Sequence, residues 1–123
     1  MEFVNLLILC LLFIVVDSPY LAIMGKYWGN SVAKIQGHDM VVDYRAAAVA
    51  YIFLAIGMKY LVLSRDENNI FYAGLFGLTT YGVFNFTNAA LFHDYDMRVA
   101  TIDTIWGIIA CINVYMVAMY INI

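Results

Sequence analysis

Charge is scarce in this chain. Only 12% of its 123 residues are Asp, Glu, Lys or Arg, against roughly 25% in an average soluble domain. That is too little to solvate a water-facing surface, and 65% of the residues are hydrophobic with a mean hydropathy of +0.84. No basic run is present, which removes nucleic acid as a partner; the net charge of −3 comes mainly from short loops and points to no acidic or basic partner. The two cysteines, Cys10 and Cys111, form no CxxC and have no His at metal-ligand spacing, so they read as small polarizable packing residues. There is no Ser-His-Asp set, HExxH or glycine-rich phosphate loop, so no catalytic residue, metal or cofactor is assigned. Low-complexity tracts and solenoid periods are missing too, and the two halves show no repeat that would support inverted-repeat transporter logic. The first apolar run lacks a basic leader and a clean small-x-small cleavage site, so it is expected to remain as a helix.

Long apolar runs fill what is left. They cover about residues 3–24, 44–63, 70–92 and 99–121 of a single transmembrane domain, 1–123. Each is near the roughly 20 residues that cross about 30 Å of hydrocarbon, and no alternating ten-residue strands suggest a barrel. The expected fold is therefore all-α: an integral membrane bundle of four transmembrane helices. Residues 64–69 and 93–98 are tight polar connections that make the last three helices an antiparallel up-down series. The first connection, 25–43, is longer. Asn30 or Ser31 is expected to cap a short turn there that Gly37 ends, with Tyr27 and Trp28 at headgroup level on the membrane surface. Lys26, Lys34, Arg45 and Arg98 against Lys59 and Arg65 predict, by the positive-inside rule, termini on the outside.

Polar side chains inside the runs mark a site, because in hydrocarbon they are costly without partners. Asp17, Asn85, Asn88 and Asp103 come from three helices, and at 1.5 Å per residue all four fall roughly 6–10 Å below one interface. Gly77, Tyr81, Asn85 and Asn88 recur on one helical stripe. Asp103, Gly107, Ala110 and Cys111 share a side of the last helix, and Ala46, Ala50 and Gly57 do the same on the second. Small residues let membrane helices approach closely, so Gly77, Gly107, Ala46 and Ala50 are expected to be packing positions. Arg45 is the natural counter-ion for Asp17 or Asp103, and His93 at the lip could carry protons. The competing explanation is that the polar residues are interhelical ties with no ligand, at an average of about 0.6 kcal/mol each.

Other features are weaker. His38 with Asp39 and Asp43, and His93 with Asp94 and Asp96, lack metal-site spacing. Asn85-Phe86-Thr87 fits a glycosylation sequon, but a buried helix cannot be an acceptor. Lys59 is expected to snorkel, and the many Tyr and Phe residues to face lipid or the interface.

The stretch Tyr81-Gly-Val-Phe-Asn85-Phe-Thr87-Asn88-Ala-Ala, followed by Thr101-Ile-Asp103-Thr-Ile-Trp106-Gly107, resembles the DUF2177 family of small predicted membrane proteins. That family carries a Tyr-Asp-Leu-Thr-Asn-type motif on its third helix and Asp-x-x-Trp-Gly on its fourth. The resemblance implies that Thr87, Asn88, Asp103, Trp106 and Gly107 occupy motif positions. Asn85 stands where the family usually has Asp. Asp17 matches the end of the first helix, but Ser18-Pro19-Tyr20 replaces the Trp-containing turn that follows. Both departures count against a proton-linked role. The family description supplies an architecture and no activity.

The expectation from these residues is a non-enzymatic membrane protein whose pocket, formed by Asp17, Arg45, Tyr81, Asn85, Thr87, Asn88, Asp103 and Trp106, binds or passes a small polar solute, ion or lipid headgroup. Its partner is the lipid bilayer; transport by so small a bundle would need a homo-oligomer or partner membrane proteins. The alternative is a structural or assembly protein, of a viral or organellar membrane for instance, and an enzyme acting on lipid ranks third.

Overall fold

The computed structural model describes residues 1–67 and 69–123. It contains four helices: α1, Glu2–Gln36; α2, Tyr44–Gly57, continued by a π-helical turn over Met58–Leu63; α3, Asn69–Leu91; and α4, Met97–Tyr120. The expected connection over 64–69 includes residue 68, which lies outside the described residues. By length and composition α1, the combined Tyr44–Leu63 segment and α4 can cross a membrane. The more polar α3 carries Asn85, Thr87 and Asn88 and lies along α4, its most extensive neighbour.

The first helix corrects the expected boundary at residue 24 and the surface loop over 25–43. α1 runs unbroken for 35 residues, about 52 Å at 1.5 Å per residue, which is more than the whole thickness of a bilayer with its headgroups. Pro19 sits inside it without ending it. A proline removes one intrahelical donor, and Ser18 Oγ, bonded to the Ile14 carbonyl at 2.7 Å, adds a local side-chain bond beside that gap. Asn30 and Ser31 lie within α1 and cap nothing. Gly37 does end the helix, in the left-handed region at φ 81°, with its N–H on the Ala33 carbonyl. Such a conformation is open to glycine at little cost.

Aspartates set the other starts. Asp43 accepts from the backbone N–H groups of Arg45 and Ala46, and Asp96 from those of Arg98 and Val99, satisfying orphan donors at each N-terminus. Toward the chain termini the bundle has a dry core of Leu9, Phe13, Ala55, Met58, Val62, Ala73, Cys111, Val114 and Ala118. α3 and α4 cross at their glycines: a Cβ on Gly77 would lie 2.1 Å from the Gly107 carbonyl oxygen, backbone against backbone. α3 meets the second span mainly through the π-helical turn, so α2 and α3 diverge toward the opposite face.

Candidate functional site

Toward the α1–α2 and α3–α4 connections, two carboxylates replace the apolar core. Asp17 of α1 accepts hydrogen bonds from the Tyr51 hydroxyl of α2 and, at 2.7 Å, from Trp106 Nε1 of α4. Asp103 of α4 accepts from the Tyr20 hydroxyl of α1 and from Asn85 Nδ2 of α3, each at 2.7 Å. The Tyr20 and Trp106 rings stack at 4.9 Å, 3° from parallel, and so join the two halves of the network. Every helix contributes.

The direction of the bonds at Asp103 is fixed by the next partners out. Trp28 Nε1 donates to the Tyr20 hydroxyl at 3.3 Å, so the Tyr20 proton is free to point at Asp103. Asn85 donates from Nδ2 to the Tyr81 carbonyl as well as to Asp103, while its Oδ1 accepts from the Tyr95 hydroxyl at 2.8 Å. That pairing orients the amide with its donor toward the carboxylate. Both oxygens of Asp103 are therefore acceptors, the pattern an ionised carboxylate prefers. In the connection outside the spans, burial pushes the Tyr95 phenol above its ordinary value; the Asn88 side chain opposes the shift and the Asp103 charge adds to it.

A cleft of about 370 Å³ opens where α2 and α3 diverge. Ala50, Phe53 and Leu54 form one wall, Phe76, Thr80, Tyr81 and Phe84 the other, and Asp103 reaches it from α4. Phe53 and Phe84 are exposed at its sides. The walls are mostly apolar, and Asp103, itself buried, is the charged residue among them.

The candidate residues separate cleanly. Asp17, Asn85, Asp103 and Trp106 are brought together, Tyr81 packs its ring on Gly107 beside them, and Gly77 faces Gly107. Asn88 is half-buried and bonds neither carboxylate, and Thr87 is exposed. Arg45 is exposed and is not the counter-ion expected of it: all four donors to the carboxylates are neutral side chains. Ala46 and Ala50 are exposed as well, because α2 leans away from α3 at this level; Ala50 lines the cleft instead of packing against a helix. His93 is exposed on the connection.

The residues not foreseen are Tyr20, Trp28, Tyr51 and Tyr95. Trp28 was expected at headgroup level, but it packs against Phe84 and Tyr95 and bonds Tyr20. The signal was periodicity: Asp17, Tyr20, Met24, Trp28 and Ser31 continue one helical stripe straight through the supposed loop.

Long apolar helices tied together by intramembrane polar bonds define a multi-pass integral membrane protein of the all-α class. The chain belongs to the DUF2177 family, described as a predicted membrane protein, which it matches over residues 3–120. No curated protein and no solved structure matches it.

Proposed function

We propose that this is a non-enzymatic membrane protein that binds a small ligand at Asp103, through the cleft between α2 and α3. The observation that carries this reading is the cleft itself, a mostly apolar space of about 370 Å³ that has the buried Asp103 among its lining residues. It falls within the roughly 300–1,000 Å³ of small-molecule sites, which combine apolar walls with a few placed polar groups. Asp17 and its donors support the site from behind by holding Trp106, on which Tyr20 stacks. The test is native mass spectrometry of the protein released from lipid nanodiscs, comparing wild type with Ala50→Trp, which fills the cleft from an exposed position. A retained molecule lost in the variant supports binding. Identical spectra free of adducts would remove it.

A structural role is the second reading, and one feature favours it. Each carboxylate already has two donors from other helices, as interhelical ties require. On that reading Asp103→Asn lowers stability and Ala50→Trp changes nothing.

A further inference from the structure

Resting on that binding reading, we infer the chemical class of the ligand: a single-chain amphiphile with a protonated amine head, which reaches Asp103 sideways from the bilayer. The walls of the cleft are mostly apolar side chains, and Phe53 and Phe84 at its sides are themselves exposed on the flank of the bundle, the side that lipid covers in a membrane. An apolar chain moving from bilayer to cleft exchanges one hydrocarbon surface for another and gains little. Selection must then come from the head.

The head meets Asp103. Its two oxygens accept one bond each, from Tyr20 and Asn85, whereas an ionised carboxylate has about four acceptor positions. The orienting bonds from Trp28 to Tyr20 and from Tyr95 to Asn85 turn donors toward the carboxylate and hold it as an acceptor. Its protein donors are neutral, and the one cation expected to compensate it, Arg45, is exposed. A charge in hydrocarbon calls for a partner of opposite sign. An ammonium supplies that charge and up to three donors, while a phosphate or carboxylate head would place like charge against Asp103.

The experiment titrates the full-length protein in nanodiscs of uncharged lipid with decylamine and, separately, decanoate, and reads adduct occupancy by native mass spectrometry. Decylamine is expected to bind saturably and decanoate at least tenfold more weakly, since hydrogen bonds to charged groups are worth roughly 1.5–3 kcal/mol. Ala50→Trp should abolish the decylamine adduct, and Asp103→Asn should erase the preference between the two probes. The wild-type preference requires no variant, so poor folding of Asp103→Asn cannot hide the answer. Equal binding of the two probes, still blocked by Ala50→Trp, overturns the amine assignment and leaves the cleft as a binding site. If neither probe binds saturably, the amine assignment and the binding reading both fall.

Discussion

The two ends of this bundle are held together by opposite means. Toward the termini, Leu9, Phe13, Met58, Val62, Val114 and Ala118 are at most 1% exposed and meet by shape alone. Toward the α1–α2 and α3–α4 connections, Asp17 is bonded by side chains of α2 and α4 and Asp103 by side chains of α1 and α3, and α2 stands apart from α3. Hydrocarbon explains the division. Lipid tails are as apolar as leucine, so the dry end gains from close packing and not from escape from water. The polar end gains from direction: a tyrosine hydroxyl must aim at one oxygen. A close-packed end tolerates no void, whereas a network with directed bonds can hold its helices while leaving a cleft open.

The largest effect should come from deleting volume at the dry end. Phe13→Ala is expected to cost about 3–5 kcal/mol, because the ring is fully enclosed within the apolar core. Unfolding in mixed micelles would measure it. Gly77→Ala comes next, at about 2–3 kcal/mol. Its methyl would meet the Gly107 carbonyl, which is backbone and cannot swing aside, so α3 and α4 must separate at the boundary between the two ends. A loss under half a kcal/mol would mean the helices have more freedom than this contact allows.

Shape-preserving changes at the polar end should cost less and should not add. Trp106→Phe can keep the stack on Tyr20 while removing one donor to Asp17, and Tyr51→Phe removes the other. Each is expected to cost about 1 kcal/mol. The double variant should exceed their sum, since only then does Asp17 lose both donors; simple additivity in the same unfolding assay would argue that water or lipid reaches the carboxylate.

This contrast also decides what could be read from the amino acids alone. The stripes of Gly77, Tyr81 and Asn85 and of Asp103, Gly107 and Cys111 were legible because small and polar residues at helical spacing are rare in an apolar run. The tyrosine donors were not. A tyrosine is amphipathic, so the same residue suits a lipid-facing ring, an interfacial anchor or a buried hydroxyl, and only a partner from another helix distinguishes them. Tyr51 acquires its role from Asp17, 34 residues away, and Trp106 from the same carboxylate 89 residues away. The length of α1 is hidden for a related reason: Gly25, Lys26 and Gly29 look like a connection when the membrane is assumed to set helix length, yet the helix continues and Trp28 packs against α3 and the α3–α4 connection. Arg45 illustrates the reverse error, in which charge complementarity suggested a pair that the lean of α2 keeps apart.

The smallest effect probes where the polar end meets water. Tyr95 lies in the α3–α4 connection, 8% exposed, with its hydroxyl on Asn85 and its ring near Trp28. Replacing it with Phe removes one bond from the outer edge of the network, worth under about 1 kcal/mol. The pH dependence is the sharper readout. Burial and the Asp103 charge both favour the neutral phenol, so its value in the folded protein lies above the ordinary 10.0. A group raised on folding contributes stability that is fully present below its unfolded value and is lost as pH climbs through the folded one. The difference in stability between wild type and Tyr95→Phe should thus be constant from neutral pH to about 9 and shrink only above 10. A difference that stayed constant even above about pH 10 would mean that the phenol titrates alike in the folded and unfolded chains; Tyr95 would then be in water, and the directed network would end at Asn85 instead of reaching the connection.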